Sequence, residues 1–174
     1  MRKMKRRPII AVIGGDDNTS TIDALAIGEK TGKALIDNGF RIVTGGRGGV
    51  MEAVGKGGRS SIKHKDGDII GILPSLNKQE ANQYCDIVIL TGLGFARNQI
   101  VAATGDAIVA IGGGSGTLNE IALAWQFGKP IFAFTIHGWS GNLAGKTLDN
   151  KHEKEIFPVK TTIDLIEKLK KLSL

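Results

Sequence analysis

Short runs of β-branched and aliphatic residues recur along this chain, each closed by glycine or charge, and helical patterns fill the intervals between them. The runs at 8–13, 40–43, 68–73, 86–90, 106–111 and 130–134 read as strands. Their apolar character is nearly continuous rather than alternating, as in strands covered on both faces. Residues 21–38 carry Ile22, Leu25, Ala26, Gly32, Leu35 and Ile36 near helical period and stop at Asn38-Gly39. Further helices are predicted over 50–54, over 95–104, from Thr117 to Phe127, and over 161–172, with 155–159 as an edge strand. Residues 55–67, rich in glycine, serine and basic side chains, read as a loop; 75–85 are polar and irregular, and 137–154 is polar, with Trp139 as its one large apolar residue. Strands alternating with helices predict an α/β fold: one three-layer Rossmann-like domain over 8–174, a parallel sheet with helices on both faces.

Glycine sharpens the picture. The chain has 25 in 174 residues, clustered at 45–49, 55–58, 92–94 and 112–116. In open parallel sheets, ligands sit at the carboxyl ends of strands, where such turns lie. The turn after 106–111 is the clearest: Gly112, Gly113, Gly114, Ser115, Gly116 and Thr117 carry a buried strand into a helix. Backbone N–H groups at a helix start, with no Cβ atoms in the way, make an anion site. Gly45, Gly46, Gly48 and Gly49 after the second strand, and Gly14 and Gly15 after the first, are expected to complete a phosphate cradle. No turn spells G-x-G-x-x-G, and 141–147 only imitates a P-loop, being one residue short with Ser140 in the place of its first glycine.

Two charged residues stand out. Glu120 has two readings: Thr117-x-x-Glu120 is a capping box for its own helix, or the carboxylate works on a sugar or base attached to the bound phosphate. Arg97 falls in the first turn of a helix, where the dipole disfavours a cation, so a negative partner is expected: a ligand phosphate or Glu120 itself. Asp16 and Asp17 lie on the same rim.

The formal net charge of +6 comes largely from Arg2, Lys3, Lys5, Arg6 and Arg7, read as a basic disordered arm over 1–7; nucleic acid is disfavoured as a partner. Cys85 stands alone, the histidines lack ligand spacing, and no metal site is expected. No segment has the length and character of a membrane span, so a cytoplasmic location is expected.

Gly112-Gly113-Gly114-Ser115-Gly116-Thr117-Leu118-Asn119-Glu120 resembles the P-G-G-x-G-T-x-x-E signature of the LOG (LONELY GUY) superfamily, also labelled "possible lysine decarboxylase". Thr44-Gly45-Gly46-Arg47-Gly48-Gly49-Val50-Met51 resembles its earlier glycine turn, and Arg97 and Glu120 fall at its functional arginine and glutamate. Gly112 replaces the signature proline, Glu52 the last glycine of the earlier turn, and Phe95-Ala96-Arg97-Asn98 the usual H-E-R-K-like run. Those departures look more like the molybdenum-cofactor carrier branch, with a more distant likeness to DNA-processing proteins. The resemblance implies binding of a phosphorylated nucleotide-like ligand, be it a nucleotide or the pterin cofactor, with no cofactor required for the fold. The alternative it implies is metal-independent hydrolysis of nucleoside 5′-monophosphates to free base and ribose 5-phosphate, with Arg97 and Glu120 catalytic; lysine decarboxylation is not implied. It also implies a homo-oligomer, at least a dimer, with Phe95, Trp125 and Phe127 on a shared surface.

Overall fold

The computed structural model describes residues 6–150 and 155–172. Its centre is a seven-stranded sheet built from β1 (Ile9–Gly14), β2 (Arg41–Thr44), β3 (Ile69–Leu73), β4 (Ile87–Leu90), β5 (Ala107–Ile111), β6 (Ile131–Phe134) and β7 (Phe157–Val159). The order is β4-β3-β2-β1-β5-β6-β7 and every pairing is parallel. Strand order therefore reverses between β1 and β5, which splays the loops at their carboxyl ends and opens a crevice there. All five residues of β5 are buried, as its unbroken apolar run requires.

Helices α1 (Ile22–Asp37), α2 (Val50–Arg59) and α6 (Thr162–Lys170) cover one face. Helices α3 (Arg97–Thr104) and α4 (Ser115–Gln126), with the short α5 (Trp139–Leu143), cover the other. This is the expected three-layer α/β architecture. Thr21 caps α1 by accepting the Ala24 N–H at 3.3 Å, and Gly39 leaves the helix at φ +83°.

Two segments depart from the sequence reading. Helix α2 runs on to Arg59, through glycines taken for a loop. The reason is helix packing: a Cβ on Gly57 would strike the Glu29 carbonyl, and one on Gly32 the Val54 carbonyl. The glycines that weaken α2 as an isolated helix let it lie backbone to backbone against α1. Within 137–154, read only as polar, residues Trp139–Leu143 form α5; residues 151–154 lie outside the described residues. Trp125, read from the sequence as either a core or a shared-surface residue, is buried in the core, its indole N–H donating to Asp149 at 2.9 Å.

Two residues of the expected 1–7 arm are held by the fold. Met1 to Lys5 lie outside the described residues, but Arg6 pairs with Asp106, and Arg7 reaches the carboxylate of Asp68 and the carbonyls of Gly39 and Phe40. Asp68 is only 1% exposed; it also accepts the Lys65 N–H at 3.0 Å and has Arg41 at 3.9 Å. Removing one partner from a buried carboxylate strands its charge. Arg7→Ala should therefore lower the unfolding free energy by about 2 kcal/mol in urea titration. Lys33→Ala, which breaks only the exposed pair with Asp37, should cost less than about 0.5 kcal/mol. Equal effects would show that the Arg7 contact is superficial.

Candidate functional site

The crevice at the β1/β5 reversal is a cleft of about 400 Å³. It is lined by the loop after β1 (Gly14 and residues 16–19), the loop after β2 (Arg47, Gly48, with Met51 of α2), the start of α3 (Phe95, Arg97, Asn98) and the start of α4 (residues 114–117 and Glu120). Residues 94–96 form a single 3₁₀ turn that feeds α3, which is how the turn after the edge strand β4 reaches a site at the sheet centre.

Helix α4 begins at Ser115, two residues earlier than the sequence suggested, with Gly114 as its N-cap and no capping side chain. Thr117 is thus the third helical residue, and Thr117-x-x-Glu120 is not a capping box, since a box needs its threonine outside the first turn. Among the described residues, the backbone N–H groups of 113–117 donate to no protein acceptor; the first bond of the helix is Leu118 N–H to the Gly114 carbonyl at 3.0 Å. Residues 114–117 turn these groups and the positive end of the helix dipole into the cleft.

The other glycines divide sharply by role. Gly112 belongs to the scaffold: its N–H donates to the Ser140 hydroxyl at 2.8 Å, and that hydroxyl donates to the Phe134 carbonyl at 2.8 Å. The Gly113 carbonyl accepts the Trp139 N–H at 3.1 Å, so α5 staples the turn from behind. Gly46 donates to the Thr44 hydroxyl at 3.0 Å, and Gly49 to Asp17 at 2.7 Å. Gly15 accepts the Val50 N–H at 2.9 Å. None of Gly15, Gly46, Gly49, Gly112 and Gly113 lines the cleft. Gly14 and Gly48 do line it, and Gly48 lets the Asp17 carboxylate lie against its backbone. Gly45 acts indirectly, because a Cβ there would occupy the space of the Arg97 guanidinium.

Arg97 and Glu120 face each other across the floor. Their nearest atoms, Nη1 and Oε1, are 3.7 Å apart, with side chains only 11% and 8% exposed. That separation is electrostatic contact without a hydrogen bond. Neither side chain has a hydrogen-bond partner among the described residues, and the Arg97 Nε is fully enclosed. Burial pushes the Glu120 carboxyl up to about 7, with Arg97 acting against the rise. Burial likewise lowers Arg97, Glu120 opposing and Arg47 adding a smaller repulsion. Asp16 is occupied by its own turn, accepting from the Asn18 and Thr19 N–H groups at 3.1 Å, and Asp17 by Gly49. The cleft thus presents free N–H groups, with Arg97 and Arg47 among its lining residues, the latter 3.7 Å from Glu80.

Sequence reading missed Ser140, Asn98 and Arg47. Ser140 sits in the segment set aside as a P-loop imitation, and only its full burial shows its purpose. Asn98 donates from Nδ2 to Asn119 Oδ1 at 3.1 Å, bridging α3 and α4. Arg47 lay in plain view inside the second glycine turn. Among the described residues, no group of three or more His, Cys, Asp or Glu side chains is placed to hold a metal.

An uncharacterized protein of Archaeoglobus fulgidus is 38% identical over 122 residues, 70% of this chain and 76% of that one. A cytokinin riboside 5′-monophosphate phosphoribohydrolase of Mycobacterium tuberculosis is 30% identical over 117 residues; the alignment takes in 63% of this chain and only 61% of that protein. Among solved structures, the molybdenum cofactor binding protein of Rippkaea orientalis superposes with a TM-score of 0.82 at 33% identity, covering 95% of this chain and 96% of that one. The molybdenum cofactor carrier protein of Chlamydomonas reinhardtii does so with a TM-score of 0.80 at 30% identity, over 94% and 97% of the two chains. The model of the SLOG cluster4 family matches residues 7–166, nearly the whole fold around the cleft, and the chain belongs to that family.

Proposed function

We propose that the cleft binds a phosphorylated nucleotide-like ligand, with the phosphate on the N–H groups of residues 114–117. The observation that carries this reading is the set of unused donors at the start of α4, opening beside a buried arginine that itself lacks a hydrogen-bond partner. An anion held there completes both. The two molybdenum-cofactor proteins support a carrier or binding role, since that cofactor is a phosphorylated pterin and its phosphate suits the same donors. Such a ligand is cargo here, held and released without a change of bonds.

A second reading is hydrolysis of the N-glycosidic bond of nucleoside 5′-monophosphates. It is favoured by Glu120, a carboxyl buried in the cleft next to Arg97, and by the Mycobacterium tuberculosis relative. In that reaction Arg97 orients the carboxylate and keeps it ionised, while Glu120 holds the ribose hydroxyls and stabilises positive charge developing on the sugar. Water supplies the oxygen that replaces the base. Binding ranks first because the Arg97–Glu120 pair stands open at 3.7 Å and the cleft's other two acids, Asp16 and Asp17, already accept from backbone N–H groups.

Calorimetry with ribose 5-phosphate separates these readings from no function at all, and chromatography of nucleoside monophosphates after incubation separates them from each other. Ribose 5-phosphate should bind at low salt and no base should appear; steady base release, lost in Glu120→Gln, would establish the hydrolase instead.

Gly45→Ala is the finer probe, because Gly45 has no positive φ and the atoms nearest its new methyl belong to the Arg97 guanidinium. It should weaken ribose 5-phosphate about as much as Arg97→Ala does, roughly tenfold, with little loss of melting temperature. Unchanged affinity in Gly45→Ala would remove Arg97 from the ligand.

The state of Glu120 gives a pH test that needs no ligand. Its folded value near 7 lies above the ordinary 4.5, so the stabilisation it confers is complete below pH 4.5 and is lost as pH rises through 7. Glu120→Gln keeps the neutral form at every pH. Its stability relative to wild type should rise by about 3 kcal/mol from pH 4.5 to 7.5. A difference constant with pH would mean that the carboxyl titrates as an exposed one.

A further inference from the structure

Strand β4 breaks the rule that governs the rest of the sheet. It reads Ile-Val-Ile-Leu, the unbroken apolar run of a strand covered on both faces. Yet it is fully covered on neither. Helix α3 packs on β1, β2 and β3, and among the described residues β3 is the one element packed closely on β4. Ile87 and Ile89, which share one face, are 44% and 43% exposed, and Leu90 on the other is 38% exposed. The apolar strip continues past the strand, where Leu76, Leu93 and Phe95 are each more than half exposed. Leu76 closes on Gly92, where a Cβ would come within 3.2 Å of its side chain, and Gly94 donates to the Pro74 carbonyl at 2.9 Å. The loops after β3 and β4 thus form one surface with the strand.

Natural sheets defend such an edge with charge, proline, a bulge or brevity. From Ile87 to Ala96 the chain carries no charged residue and no proline, and the ladder from β3 runs without a bulge through Leu90. Brevity is the one defence left. The backbone sharpens the point. Asp86 donates its N–H to the Ile69 carbonyl at 2.8 Å, toward β3. Successive residues of a parallel strand turn their N–H and C=O groups to alternate sides, so Ile87 and Ile89 turn theirs to the open edge.

Two such residues flanking Val88 are their own complement. A twofold axis through Val88 sets Ile87 of each copy opposite Ile89 of the other, and the opposed residues exchange both N–H···O bonds as in an antiparallel ladder. Because the strip is uncharged, no like charges meet across the axis. Phe95 alone offers on the order of 200 Å². With the other five side chains, the strip approaches the roughly 800 Å² that each partner buries in a standard interface.

We propose that this edge pairs with a second copy of the chain, β4 antiparallel to β4 about Val88, so that two seven-stranded sheets become one continuous sheet. The pairing is independent of what the cleft holds.

The test is sedimentation velocity on the full chain across a wide concentration range. Wild type should dimerise. Ile87→Asp and Ile89→Lys should each weaken the dimer about tenfold, since each sets a charge against an isoleucine of the other copy. Circular dichroism of both should match wild type, because the replaced side chains already face solvent. Combining the two changes sets Asp against Lys at both contacts and should recover at least about threefold over either single variant. Ile89→Pro removes an N–H that faces the edge and none that faces β3, and should dissociate the dimer too. A wild type that stays monomeric overturns the proposal, as does a dimer that the single variants leave intact, since the copies would then meet elsewhere. A combined variant no better than the single ones rules out the antiparallel register, and an intact dimer in Ile89→Pro rules out strand pairing.

Discussion

A guanidinium has been taken out of water at the carboxyl end of the sheet, and much of the surrounding architecture exists to make that tolerable. Arg97 is nearly buried, its Nε has no partner among the described residues, and its one counter-charge stands 3.7 Å away without a hydrogen bond. Desolvating a cation this far costs several kcal/mol when nothing answers it. Three features answer in part: Glu120 on α4, the missing Cβ of Gly45 that gives the group room, and the packing of α3 against α4 on one face of the sheet. The helix dipole is no help, because Arg97 sits at the positive end of α3. A residue held at such disadvantage is the sort that binding sites keep and cores discard.

The glycine count takes on a different meaning from the same geometry. Gly14, Gly48, Gly114 and Gly116 line the cleft, while Gly32 and Gly57 serve the contact of α1 with α2, and Gly112 and Gly113 tie the ligand turn to α5. A cradle for an anion needs its own backbone held still, or the donors would close on each other. Here Ser140 does that from behind, bonding Gly112 on one side and Phe134 on the other. The result is preorganisation: the N–H groups of 114–117 keep their direction because neighbouring residues already have partners.

What could be read from the chain and what could not follows the range of the interactions. Strands such as β1 and β5 announce themselves because burial on both faces leaves an unbroken apolar run, a local signature of a global fact. The α/β order and the turn at 112–117 were legible for the same reason. The second half of helix α2 was not, since the glycines that end it by local propensity are explained only by α1 lying against them. Arg7 read as a tail residue because its partner, Asp68, is sixty-one positions away. Glu120 was legible as a candidate but not as an uncapped one: its role turned on where α4 begins, and a shift of two residues in that boundary turned a helix cap into a cleft-lining acid.

On the two proposed readings the same scaffold would hold cargo or cleave it, and the difference would lie in the cleft. Both tasks need a phosphate anchor, and both are served by the same N–H groups at α4. Cleavage adds a demand for negative charge beside the sugar as its bond to the base breaks, so it needs Glu120 ionised at the working pH. Burial holds that carboxyl near 7, and Arg97 is the group that can pull it down. If a ligand phosphate draws Arg97 to itself, Glu120 loses its counter-charge, keeps its proton and becomes a hydrogen-bond donor suited to gripping a sugar. If the ligand leaves Arg97 on Glu120, the carboxylate ionises and the site is charged for chemistry. On the proposed readings, carrier and hydrolase would be two settings of one pair of side chains, distinguished by which anion the arginine answers.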